Sequence, residues 1–122
     1  MLKFKFTYFT FFFSFLIIFF SVIPIQIRII ENYNFISLDK VLHLLTYFLY
    51  TILIYLSLLR ELSFKNPKLR SMVISFLVGF ILELIQGYFL THRSFEILDI
   101  FSNFTGILTF AFVSKTIKKV IA

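Results

Sequence analysis

The sequence predicts an all-α integral membrane protein: a four-helix transmembrane bundle with its N- and C-termini cytoplasmic. Three observations carry that expectation. Hydrophobic residues make up 60% of the 122 residues and the mean hydropathy is +0.97, more apolar surface than a soluble domain of this size can cover. Four apolar runs approach or exceed the length needed to cross the hydrocarbon core. The twelve Lys and Arg residues sit at the ends of those runs and are shared unequally between the two sides, as membrane anchors are.

The first run, Phe6 to Ile27, has no charged residue in 22 positions, and the second, Val41 to Leu59, has His43 as its one ionisable group in 19. Ser71 to Leu90 is a 20-residue run broken by Glu83. The last, Ile100 to Ser114, is 15 residues long between Asp99 and Lys115. Fifteen residues rise about 22 Å against a core of about 30 Å, so this span is expected to extend back through Ile97 and on through Ile117, its flanking side chains snorkelling. The expected spans are therefore 6–27, 41–59, 71–90 and 97–117 in one domain covering 1–122, which leaves no room for a separate catalytic domain.

Orientation follows from the basic residues. Lys3, Lys5, Arg60, Lys65, Lys68, Arg70, Lys115, Lys118 and Lys119 lie on one side, against Arg28, Lys40 and Arg93 on the other. The richer side is assigned to the cytoplasm, so the loops 28–40 and 91–99 face outward. A cleaved signal peptide is the alternative for the first run, but no small-residue cleavage site follows it and Pro24 interrupts its end. With no cysteine in the chain there is no disulfide, thiolate nucleophile or thiolate metal site. The net charge of +6 lies in anchors rather than in a stripe, so no nucleic-acid partner is expected.

A polar side chain within a span costs on the order of 3 kcal/mol on insertion scales, so each one needs a reason. Asp39, Lys40 and His43 open the second span, Glu83 and Gln86 lie in the outer half of the third, and Asp99 and Asn103 open the fourth. Residues three, four or seven apart share a helix face. Asp39 aligns with His43, Glu83 with Gln86, and Asp99 with Asn103 and Gly106. On the third span Ser71, Ser75, Gly79, Glu83 and Gly87 recur every four residues, a stripe that permits close helix contact and turns the Glu83 carboxyl into the bundle. Glu83, His43 and Asn103 are expected to meet in one outward-opening cavity.

Each of these groups has a plain reading beside the chemical one. His43 is either a hydrogen-bonded interhelical imidazole or a proton carrier, and Glu83 either a carboxyl bridging helices through Gln86 or Asn103 or a general acid or base. Lys40 and Arg93 are snorkelling anchors or phosphate ligands, and Asp39 and Asp99 serve as helix N-terminal caps in the plain case. A divalent metal among Asp39, His43, Glu83 and Asp99 is disfavoured, because the two-His-plus-carboxylate spacing is missing.

The ordered set D-K-V-L-H at 39–43, E-L-I-Q at 83–86, R-S-F-E-I-L-D at 93–99 and N-F-T-G at 103–106 resembles the VanZ-like family, over three of the four spans. The resemblance implies a small multi-span protein of the bacterial cytoplasmic membrane, whose namesake is linked to teicoplanin resistance. It implies Glu83, His43 and Asp99 as candidate catalytic groups, with Asp39, Lys40, Gln86, Arg93 and Asn103 as ligand contacts and Gly106 as a packing residue. The implied partner is a membrane lipid, such as a phosphate-bearing envelope precursor at the outer leaflet, with no cofactor. A non-catalytic protein that associates through the Ser71–Gly87 stripe is the rival from another class.

The assigned topology predicts that single cysteines at Asn34 and Thr91 react with an impermeant thiol reagent in intact cells while one at Asn66 does not. Labelling at Asn66 alone reverses the orientation.

Overall fold

The computed structural model describes residues 3–22, 38–90 and 96–121, without the side chains of Leu38 and Asp39. Among them are four helices: α1 (Lys5–Val22), α2 (Leu38–Leu56), α3 (Pro67–Tyr88) and α4 (Ile97–Ile121). A wider, π-type turn over Ser57–Glu61 prolongs α2. All four are long and apolar enough to cross a membrane, so the all-α, four-span architecture read from the sequence is the one observed.

The boundaries differ from expectation in instructive ways. Helix α4 runs 25 residues to Ile121, past the expected end at 117. Its last turn carries Lys118 and Lys119, which suit the negative end of a helix dipole, and the Arg60 guanidinium donates to the Ile121 carbonyl. Helix α3 begins four residues earlier than its apolar run, because Pro67 stands at its start, where the missing N–H costs nothing. The turn into it places Ser63 and Asn66 at positive φ, and Asn66 accepts the Arg70 N–H at 3.1 Å. Asn tolerates that conformation better than most residues. Positions 23–27 of the first expected span lie outside the described residues.

The helices alternate in direction, and the bonds between their ends define two poles. At the basic pole Glu61 meets the start of α1 and Arg60 meets the end of α4. At the opposite pole Lys40 meets the start of α4 and Gln86 meets the end of α1. Helix α2 is central and packs against the other three. Its closest approach is to α4: a Cβ added to Gly106 would stand 2.2 Å from the Leu44 carbonyl oxygen, so only glycine lets the two backbones touch. Ile107 and Phe110 on the same face are completely enclosed.

On α3 the inward face is the small-residue stripe, with Ser71, Ser75, Gly79 and Glu83 all buried. Thr51 of α2 donates to Ser75 Oγ at 2.8 Å. The stripe is thus used within the chain. The outward faces carry Phe11, Phe15, Phe101, Phe112 and Val120, a surface suited to lipid.

Helix α1 is attached differently. Ile17 is its one buried residue, with Phe13 stacked on Tyr50 at 5.9 Å. Its fastenings are polar. The Glu61 carboxylate accepts the Phe6 and Thr7 N–H groups at 2.6 and 2.7 Å and the Thr7 hydroxyl at 2.6 Å, satisfying N–H groups that every helix start leaves open. Because Thr7 donates to Glu61, Ser57 donates to Thr7 at 2.6 Å. Ser14 bonds the Tyr50 hydroxyl at 2.8 Å, and Gln86 Nε2 donates to the Ser21 carbonyl at 3.1 Å.

Gly106→Ala is expected to lower bundle stability by about 1–3 kcal/mol, the usual cost of overpacking. Gly79→Ala should cost less, since the atoms at 3.0 Å from its added Cβ belong to the side chains of Asn103 and Tyr47. Thermal unfolding in detergent, followed by size-exclusion chromatography, ranks the two; equal midpoints contradict the α2–α4 contact.

Candidate functional site

The polar residues of the second, third and fourth spans converge at the pole opposite the basic one. Lys40 and His43 occupy successive turns of α2, and Asp99 and Asn103 successive turns of α4. The Gly106 contact brings those two helices close enough for their side chains to meet. Lys40 Nζ bonds both Glu96 Oε2 and Asp99 Oδ1. One turn deeper, His43 Nδ1 lies 3.0 Å from Asn103 Oδ1 and Nε2 lies 3.7 Å from Asp99 Oδ2. The first contact makes Nδ1 the donor, since a carbonyl oxygen can only accept. A proton on Nε2 would then face a carboxylate.

Glu83 comes from the third side. Its side chain is buried at 2% exposure, and Oε1 accepts the Glu96 backbone N–H at 2.8 Å. It feels the charges of Asp99 and His43 and so lies at their pole. The link differs from the expected one: Glu83 joins the network through Glu96. The Asn103 amide and the Tyr47 ring both pack over Gly79, one turn from Glu83.

The other expected site residues separate. Gln86, three residues from Glu83, turns to α1 and bonds the Ser21 carbonyl, so in the described contacts it fastens a helix. Arg93 and the Asp39 side chain lie outside the described residues, and helix α2 includes the Asp39 backbone. Among the described residues no group of three or more His, Asp or Glu is placed to hold a metal ion.

Glu96 was not singled out by the sequence reading, yet three of its groups act here. Its N–H donates to Glu83, its carboxylate takes Lys40, and its carbonyl accepts the Asp99 N–H at 3.1 Å. Its signal was local: an acidic residue three positions before Asp99, at the mouth of an apolar helix. Tyr47 was also missed, because an aromatic ring in an apolar run carries no polar signature.

The charge balance follows from this set. Glu83, Glu96 and Asp99 face Lys40 and His43, so the described pole is richer in carboxylates than in cations. Lys40 is bound by two of them, and an anionic ligand would have to compete with those carboxylates for it. Comparison with family models, with curated proteins and with solved structures finds no match to this chain.

Lys40→Met leaves Asp99, whose side chain is 8% exposed, without its cation and is expected to destabilise the bundle by about 2–3 kcal/mol, the scale of a bond to a charged group. Adding Asp99→Asn should recover part of that loss. Unfolding midpoints of the single and double variants measure the coupling; strict additivity removes the ion pair from the account.

Proposed function

We propose that this chain is a VanZ-like protein of the bacterial cell envelope, set in the cytoplasmic membrane with both termini cytoplasmic. The carboxylate-rich pole then lies at the outer leaflet. There it binds or modifies a lipid-linked precursor with a polar, phosphate-bearing head, and so affects susceptibility to glycopeptides such as teicoplanin. The observation that carries this reading is the convergence of Lys40, His43, Glu83, Asp99 and Asn103, drawn from three separate motif segments, on one pole of the bundle. Ionisable groups at such a depth are costly and tend to mark a site of binding or proton transfer.

In this reading Lys40 meets the head group by exchanging Glu96 or Asp99 for phosphate, with Arg93 as a second, bidentate contact. Glu83 and His43 are the groups able to move a proton. The nine basic residues at the other pole support the orientation. The rival reading, association with another protein through the Ser71–Gly87 stripe, is weakened by the burial of Ser71, Ser75 and Gly79 against the chain's own helices.

Expression in a susceptible Gram-positive host is expected to raise tolerance of teicoplanin more than tolerance of an antibiotic with a cytoplasmic target. Glu83→Gln should abolish the difference while the protein stays inserted, because Gln keeps an oxygen to accept the Glu96 N–H but cannot ionise. Unchanged drug responses with abundant, inserted protein overturn the envelope reading; full activity of Glu83→Gln removes proton chemistry from it.

A further inference from the structure

The basic pole carries charge that the chain itself leaves largely unanswered. Its nine Lys and Arg residues face Glu61 as the one carboxylate side chain among the described residues of that pole, and Glu61 is already bonded to the start of α1. Two of the cations are guanidinium groups. Arg60 spends an Nη donor on the Ile121 carbonyl, whereas Arg70, in the first turn of α3, is held by its other edge. Its Nε donates to the Lys65 carbonyl at 2.7 Å, and its guanidinium carbon lies over the Phe64 ring, 5.5 Å from the centroid, a contact that seats a cation on an aromatic face. Phe64 is fixed in turn, its N–H donating to the Leu58 carbonyl at 3.0 Å. A guanidinium presents five N–H donors in a rigid fork. The Lys65 carbonyl takes one, and the Arg70 Nη nitrogens meet no acceptor among the described residues.

We propose that Arg70 is the head-group clamp of an anionic phospholipid bound on the exposed face of α3. The Nη donors match two oxygens of a phosphate, and the Lys65 and Phe64 contacts hold the fork before the ligand arrives, which lowers the ordering cost of binding. Val73, Ile74, Leu77 and Ile81 follow Arg70 at three, four, seven and eleven residues along α3 and are all exposed, so they continue its face into the bilayer. A ligand that satisfies both parts carries a phosphate at one end and acyl chains at the other. Net charge then selects among phospholipids: the surrounding lysines attract a head that is negative overall and repel the terminal ammonium of a zwitterionic one. The site belongs to whichever leaflet this pole meets and does not rest on the reading in the preceding subsection.

The full chain, purified in detergent, is titrated with phosphatidylglycerol or with phosphatidylcholine of the same chains, and native mass spectrometry reads the first lipid bound. Phosphatidylglycerol is expected to bind several-fold more tightly; equal affinities overturn the selection by charge. Arg70→Lys keeps the charge but loses the fork, and should weaken phosphatidylglycerol binding several-fold. A double variant, Lys118→Gln with Lys119→Gln, removes two exposed charges at the end of α4 and should weaken it less. Parent-like affinity in Arg70→Lys overturns the clamp, as does a loss in the double variant equal to or greater than that in Arg70→Lys, which would mean diffuse attraction alone. Should Arg70→Lys lower the unfolding midpoint, Phe64→Leu decides in its place: it keeps the Lys65 bond, removes the ring, and is expected to weaken the same binding. Inorganic phosphate should leave the bound lipid in place; its displacement would mark a free-anion site and overturn the lipid assignment.

Discussion

A bilayer interior offers no water, so every polar group placed there must find its partner in the protein. The structure follows from that constraint more than from apolar packing, which lipid can replace. Helix interiors satisfy their own backbones, leaving the helix ends and the few polar side chains as the places where the protein must supply bonds. Here the two demands are met together. Glu61 closes the N–H groups at the start of α1, Arg60 and Gln86 take carbonyls at the ends of α4 and α1, and Thr51 pairs with Ser75 deep between α2 and α3.

Close backbone approach makes the rest possible. Gly106 lets α4 settle against the Leu44 carbonyl of α2; one turn farther along α4 Asn103 comes level with His43, and one turn beyond that Asp99 meets Lys40. A bulkier residue at 106 would hold the helices apart and leave those groups in lipid without partners. The ion pair and the His43–Asn103 contact are therefore consequences of a glycine two turns away. Glu83 depends on a similar device, since Gly79 makes the space that the Asn103 amide and Tyr47 ring occupy beside it.

The fold was legible because the bilayer imposes its length on the sequence: four apolar runs punctuated by charges can do little else. The meeting of His43 and Asn103 was legible for a related reason, because polar residues in spans must face inward and helical spacing says which of them share a face. What escaped was rotational choice across helices. Gln86 is three residues from Glu83, and nothing in the sequence indicates that one turns to α4 and the other to α1. Glu61 escaped because its carboxylate serves backbone N–H groups far along the chain, and a residue that caps another helix's start looks, in one dimension, like a solvated loop charge. Glu96 escaped because it acts through its own backbone N–H on Glu83 and through its carboxylate on Lys40.

The two poles also differ in how their charges are spent. At the basic pole the carboxylate of Glu61 is committed to the α1 start, so the surrounding Lys and Arg residues keep their excess charge for the membrane surface. At the other pole Lys40 is committed to Glu96 and Asp99, and among the described residues the excess is acidic. A bare acidic pole would repel a phosphate head, so affinity there requires an exchange in which Lys40 gives up a carboxylate as it gains the phosphate. Such an exchange frees Glu96, whose own backbone N–H holds Glu83. Loss of the Lys40–Glu96 pair to an anion would in this way loosen the segment that fixes the Glu83 carboxyl, coupling the charge state around Lys40 to the freedom of a buried acid on a neighbouring helix.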